Sequence, residues 1–158
     1  MSVGEKPIGD IRVSDVLKDV GKLMKPAVVS TSATLRDAVD AIIEDSDTRK
    51  VYVVDAEGRI VGTITLETLL RQAGYRFGVR TPGMTSLLRM LAEMAKDKVT
   101  EVMAKPVKVF DDELLTNVTR LMVEHHLNDL PVVNRDGKII GELNGLDILK
   151  AARKFWEE

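Results

Sequence analysis

The sequence contains no cysteine, which excludes disulfides, thiolate catalysis and cysteine zinc sites together. Aromatic residues make up only 4% of it, so any core must be aliphatic and a surface that stacks nucleic-acid bases on rings is not expected. No excess of one charge exists either. The formal net charge is −2, which gives no general footprint for a nucleic acid and leaves at most a local basic patch. No apolar run approaches the ~20 residues of a membrane span, and the polar opening Met1 to Asp10 lacks the apolar centre of a signal peptide. A soluble, cytoplasmic protein is the expectation. With 158 residues, 44% of them apolar, the chain has enough material for one domain or for two small units sharing a core.

What the sequence does have is itself, twice. A slide of 79 residues lays Val20 to Leu70 on Val99 to Leu149 with no gap, and 11 of those 51 positions are identical. Among the identities are Met24/Met103, Leu35/Leu114, Val53/Val132, Val54/Val133, Gly58/Gly137, Gly62/Gly141 and Leu70/Leu149. Conservative pairs such as Val61/Ile140 and Arg59/Lys138 support the same register. Repetition at a fixed offset fixes the architecture more firmly than any single motif.

Within repeat 1, Leu35, Val39, Ile42 and Ile43 fall on one helical stripe, and Ser32 or Thr34 can cap its start. Val51 to Val54 and Ile60 to Ile64 are β-prone runs joined by Asp55-Ala56-Glu57-Gly58, the composition of a hairpin. A second helix begins near Thr68. Repeat 2 replays this with Leu114, Val118, Leu121 and Met122, then Leu130 to Val133, Lys138 to Leu143, and a helix from near Asp147. Adding a short first strand at Val28 or Val107, each repeat reads as strand, helix, strand, strand, helix. The fold class is therefore α/β (α+β), with repeat 1 at 13–73, a Gly-rich loop at 74–83, and repeat 2 with its leading helix at 84–156. Val13 to Leu23 is the corresponding leader of repeat 1. Two such units back to back would cover the sheet face that each leaves open.

These residues resemble the cystathionine β-synthase domain, the CBS domain, in its tandem, stand-alone Bateman-type form. The resemblance rests on Leu23-Met24-Lys25-Pro26 and Val102-Met103-Ala104-Lys105-Pro106, on Thr34-Leu35 and Glu113-Leu114, on Leu130-Pro131-Val132-Val133-Asn134 with Gly137, and on Gly141 to Leu149. It implies two β-α-β-β-α repeats packed sheet to sheet about a pseudo-twofold axis and a homodimer of such pairs. It also implies adenosine-containing ligands, AMP, ADP, ATP or S-adenosylmethionine, bound in clefts between repeats. Members regulate an attached or associated protein and are rarely enzymes.

Carried onto this sequence, the resemblance implies one competent cleft. Asp147 and Asn144 of repeat 2 would meet Ala27, Val28, Thr31, Arg49 and Lys50 of repeat 1. A carboxylate can accept ribose hydroxyls, an apolar strand can hold adenine, and cations can neutralise phosphate. The second cleft would combine Thr65 and Thr68 with Pro106, Val107, Phe110, Asn128 and Asp129; it lacks the ribose carboxylate and sets Asp129 where a phosphate-binding cation is expected. Other readings stand beside this one. Asp147 is also a good helix cap, and Arg49 and Lys50 follow Glu44, Asp45 and Asp47 as a surface ion-pair cluster would. Asn144 stands where the family often has Ser or Thr, and Glu67 would oppose a highly charged phosphate tail, which favours AMP or S-adenosylmethionine over ATP.

Adjacent His125 and His126 point different ways on a helix and cannot chelate one metal together. Arg76, Arg80 and Arg89 read as a solvated face, and Phe155 with Trp156 makes the last helix apolar at its end. The expected function is a regulatory, ligand-sensing module with no obligatory cofactor, no metal and no catalytic residues, acting on a regulated protein that the sequence does not identify. The alternatives are a structural dimerisation or adaptor protein with idle clefts, and a nucleic-acid-binding CBS protein using the linker arginines.

Overall fold

In the computed structural model the described residues are 3–20, 26–44, 49–77 and 84–156. The Leu23-Met24-Lys25 part of the first motif and most of the glycine-rich loop lie outside them. Chain order runs from two 3-10 turns at Val3–Glu5 and Ile8–Asp10 into α1 (Val13–Val20), β1 (Val28–Ser30), α2 (Leu35–Glu44), β2 (Lys50–Val54), β3 (Ile60–Thr65) and α3 (Leu66–Phe77). It continues through α4 (Met84–Met94), α5 (Val99–Val102), β4 (Val109–Phe110), α6 (Leu115–Glu124), β5 (Asp129–Val133), β6 (Ile139–Asn144) and α7 (Gly145–Arg153). Each repeat thus forms the expected strand, helix, strand, strand, helix, and the fold is mixed α/β with two three-stranded sheets.

The sheets are built alike. β1 runs parallel to β2, which pairs antiparallel with β3, and β4, β5 and β6 repeat that order. The central strands are buried on both faces: Val51, Tyr52 and Val53 of β2 are fully buried, as are Leu130, Val132 and Val133 of β5, while in the neighbouring hairpin strands Ile64 and Leu143 are fully buried. The hairpin turns share one chemistry. Asp55 Oδ1 accepts the N–H groups of Glu57 (3.0 Å) and Arg59 (2.9 Å), and Asn134 Oδ1 accepts those of Asp136 and Lys138, both at 3.0 Å. Gly58 and Gly137 close these turns at φ 82° and 83°, where a side chain would be strained.

Packing does not follow chain order. One compact unit comprises Met1–Lys25 with Val107–Glu158, and the other comprises Pro26–Pro106. The leader that precedes repeat 1 therefore belongs to the core of repeat 2, where Ile11, Val13 and Val16 join Val118, Met122, Leu130, Leu143 and Ala151. The leader of repeat 2 belongs in turn to repeat 1, where Met90, Met94, Val99 and Val102 join Leu35, Ala38, Val53 and Leu69. Backbone bonds fix the equivalence. Val13 N–H donates to the Glu113 carbonyl as Val99 N–H does to that of Ala33, and Leu115 N–H donates to Ile11 as Leu35 N–H does to Asp97.

These bonds correct the gapless 79-residue register. The hairpins and last helices do repeat at 79, since Lys50 corresponds to Asp129 and Ile60 to Ile139. The first helices repeat at 80, from Leu35 to Leu115, and the leaders at 86, from Val13 to Val99. The buried Ala38 accordingly matches the buried Val118, and Pro26 matches Pro106. The shorter α6–β5 link closes through His126, whose N–H donates to Val123 O while that of Leu127 donates to Met122 O. That pair of bonds is the Schellman helix end, and it holds His126 at φ 52°.

Candidate functional site

The expected ligand residues divide between the two units, and each half is built by its own sheet. In the unit 26–106, β1 is an edge strand among the described residues and pairs with β2, with Val28 opposite Tyr52 and Val29 opposite Val53. Ala27 precedes it and is half-buried, Val28 is 48% exposed, and Thr31 follows with its N–H donated to Val54 O at 3.1 Å. Arg49 is exposed at the entry of β2, and Lys50 opens that strand opposite Thr65. An apolar strand with two cations one strand away is what the sequence leads one to expect of this half.

The other half is a helix start. Asn144 ends β6 and caps α7: its Oδ1 accepts the N–H of Asp147 at 2.9 Å, and Asp147 Oδ2 accepts the N–H of Asn144 at 3.2 Å. This reciprocal capping box locks the carboxylate in place. Asp147 is only 7% exposed, yet its Oδ1 takes no hydrogen bond from the described residues. The cap and the ligand reading are thus compatible: one oxygen serves the helix, and one remains.

Beside Asp147 lies a hollow of about 100 Å³ lined by Val16, Asp19, Asp147, Lys150, Ala151 and Lys154. Lys154 Nζ donates to Asp19 Oδ2 at 2.7 Å. Sequence reasoning missed these lysines. Their spacing of three and seven residues from Asp147 marks one helix face, but Asp19 arrives from a leader whose attachment to this unit no local pattern discloses.

The corresponding positions of the second expected cleft are plainer. Thr65 Oγ1 accepts the Thr68 N–H at 3.1 Å and lies 3.0 Å from Thr68 Oγ1, a cap made without a carboxylate. Val107 is half-buried, Asn128 is exposed and gives its carbonyl to Gly145 N–H at 2.9 Å, and Asp129 pairs in register with Asn144. Phe110 lies beneath the Arg135 guanidinium, 4.3 Å from ring centre to Cζ, and that guanidinium forks onto Asp112 at 2.7 to 2.9 Å. Pro106 lies at the end of the other unit. By the corrected equivalence Phe110 matches Ser30 rather than Thr31.

Among the described residues no group of three His, Asp or Glu side chains could hold a metal, and no helix is long and apolar enough to cross a membrane.

A pair of repeated sheet-and-helix units with exchanged leaders and a capped acidic helix start defines the class. The family model for the CBS domain matches residues 13–74 and 99–154, and the chain belongs to that family. It is similar to the protein MJ1004 of Methanocaldococcus jannaschii, with 26% identity over 83% of this chain and 54% of the relative. It is also similar to the chloroplastic CBS domain-containing protein CBSX2 of Arabidopsis thaliana, with 28% identity over 88% of this chain and 65% of the relative. The chain therefore spans about half to two thirds of those relatives' length. Among solved structures, a CBS domain-containing protein of Thermotoga maritima matches with 31% identity and a TM-score of 0.67, covering 94% of this chain and 96% of that one. CBSX2 in complex with AMP matches with 25% identity and a TM-score of 0.62, covering 92% and 98%.

Proposed function

We propose that this protein is a regulatory ligand-sensing module that binds one adenosine-containing nucleotide per chain, AMP-like or S-adenosylmethionine-like, using Ala27, Val28, Thr31, Arg49, Lys50, Asn144 and Asp147. The observation that carries the reading is the capped Asp147, whose Oδ1 takes no hydrogen bond from the described residues although the residue is almost buried. An acceptor held this way suits a ribose diol, because its orienting cost is already met by the helix. Thr68, at the matching position, has only a hydroxyl already within 3.0 Å of Thr65. The complex of CBSX2 with AMP supports the ligand class. CBS-domain pairs are generally regulatory, and the same role, without catalysis, is proposed here. A cytoplasmic location and an unidentified regulated protein belong to the same reading.

A homodimer is part of the proposal. Both units leave apolar side chains in solvent at matching helix positions: Ile43 and Leu70 in one, Val123 and Leu149 in the other. Paired stripes of this kind are what a subunit interface covers.

The test is calorimetric titration of the whole chain with AMP, S-adenosylmethionine and ATP. One site per chain for the first or second is expected, together with about 2.7 kcal/mol of thermal stabilisation at 100 times the dissociation constant. Two sites per chain, or no binding of any of the three, overturns the reading.

A further inference from the structure

The hollow beside Asp147 carries more charge than the capping of α7 needs. Asp19, Asp147, Lys150 and Lys154 all line it, together with the buried Val16 and Ala151. Two of the four charges close on each other, since Lys154 Nζ donates to Asp19 Oδ2 at 2.7 Å. Asp147 gives Oδ2 to the Asn144 N–H, and its Oδ1 takes no hydrogen bond from the described residues. Lys150 is exposed and has no hydrogen-bond or ion-pair partner among the described residues. What remains open is one nearly buried acceptor and one cation, a helical turn apart. The matching helix of the other unit shows the ordinary fate of such a cation. There Arg71, at the position of Lys150, is held by Glu67 Oε1 at 2.6 Å. In α7 the residue at the place of Glu67 is Leu146, so Lys150 has no acid one turn back on its own helix. A lysine stem on a helix leans toward the helix N-terminus, which here is toward Asp147, about 4.5 Å away along the axis.

We infer that this hollow takes the phosphate of a nucleoside monophosphate, with Lys150 as its cation and with Asp19, by holding Lys154, limiting the negative charge that the site accepts. Lys150 has this role only with the ribose on Asp147, as proposed for that carboxylate, because the phosphate reaches the hollow through the sugar. A carboxylate that binds the hydroxyls of a nucleotide also repels its phosphate, and a cation one turn away offsets that repulsion. Lys154 is the second cation in reach, but its charge is already engaged by Asp19. One phosphate is therefore matched and three are not. The aminoacyl end of S-adenosylmethionine suits the hollow less well, because its ammonium group would have to displace Lys154 from Asp19, whereas the charge left open is positive.

The test is calorimetric titration of the whole chain, wild type and variants, with adenosine, AMP, ATP and S-adenosylmethionine, beside thermal melts that verify folding. Wild type is expected to bind AMP more tightly than adenosine. Lys150→Met should weaken AMP about tenfold, the scale of a charge-assisted contact, and leave adenosine nearly unchanged. Asp19→Asn frees Lys154 and should strengthen AMP, and ATP more than AMP. Lys154→Met should weaken AMP by opening the Asp19 charge, and the double change with Asp19→Asn should restore it. Lys150→Met that leaves the preference for AMP over adenosine intact overturns the inference but not the role of Asp147; loss of that preference on Arg49→Met and Lys50→Met would then give the phosphate to those residues. S-adenosylmethionine bound in preference to AMP, and weakened by Asp19→Asn, overturns it in favour of an aminoacyl group. Absence of binding of all four by wild type overturns it together with the role of Asp147.

Discussion

Asn144 and Asp147 each accept the other's backbone N–H, at 2.9 and 3.2 Å, so a single pair of side chains starts α7 and holds the acid proposed to bind ribose. The unit with Thr65 and Thr68 shows how to separate the two roles, because there hydroxyls alone make the cap. The double change Asn144→Thr and Asp147→Thr is expected to keep most of the stability of α7, with a loss of no more than about 1 kcal/mol. It should weaken AMP or S-adenosylmethionine binding by about 1.5 to 3 kcal/mol, the worth of a charged hydrogen-bonding group. Thr68→Ala should do the reverse, costing about 1 kcal/mol of stability and leaving affinity nearly unchanged. Thermal melts beside calorimetry decide; greater loss of affinity from the Thr68 change would reassign the site.

His126 occupies the left-handed position of a helix end at φ 52°, a conformation that costs a side chain about 1 kcal/mol relative to glycine. Its side chain is exposed, so nothing in the core depends on it. His126→Gly is expected to stabilise the protein by about that amount and raise Tm by roughly 2 to 4 °C for a chain of this size. An unchanged or lower Tm contradicts it.

How far the sequence speaks depends on whether a feature is local. The hairpins were legible because Asp55-x-x-Gly58 and Asn134-x-x-Gly137 carry their own turn chemistry, and the first helix because Leu35, Val39 and Ile42 keep one periodicity; Ile43, expected on the same stripe, is instead 72% exposed, and Ala38 is the buried residue beside Leu35. Asp147 could be read both as cap and as ligand group, and the structure shows the cap. The 79-residue register failed at α2 and α6 because Val39 and Val118 are identical by coincidence, while the true partner of Val118 is Ala38, matched by burial and not by type. The exchange of leaders was hidden for a different reason. Nothing in the sequence from Val13 to Val20 names the sheet it joins; the core contacts of Val13 and Val16 and the backbone bonds at Glu113 and Ala33 do.

Gly62 is required by a close approach rather than by its φ. After α5 the chain pairs with β3, Ala104 N–H donating to Thr63 O at 2.9 Å and Thr63 N–H returning to Ala104 O at 3.0 Å. This lays Met103 directly over Gly62, where an added Cβ would strike the Met103 sulfur and lie 2.8 Å from its Cβ. The thioether can swing away, but the Cβ is fixed by the backbone. Gly62→Ala is expected to cost about 1 to 3 kcal/mol by overpacking. Met103→Ala should recover little of that in the double variant, because Ala retains the Cβ, whereas Met103→Gly should recover more. Chemical denaturation of Gly62→Ala, of the Met103→Ala and Met103→Gly single variants and of the two double variants measures the difference, and full recovery with Met103→Ala would place the clash in the side-chain tip alone.

The last prediction concerns acid. Asp15 is nearly buried at the first turn of α1, and burial alone would raise its pKa. That effect is outweighed by the hydrogen bonds from Lys6 Nζ, 2.9 Å to each oxygen, by the Arg12 N–H at 2.9 Å, and by the charges of Lys6 and Lys18, so the pKa lies below its ordinary 3.8. A carboxyl depressed on folding contributes stability that is present above the unfolded value and is lost as pH falls through the folded one. Its share should therefore be complete at neutral pH, begin to decline near pH 3.8 and be gone below the folded pKa. Asp15→Asn removes that proton uptake. The stability gap between wild type and Asp15→Asn is expected to stay constant from pH 7 to about 5 and to narrow steeply below pH 4. Urea titrations of both proteins across that range measure it. A gap that widens on acidification would mean that burial, not the Lys6 pair, governs this carboxyl.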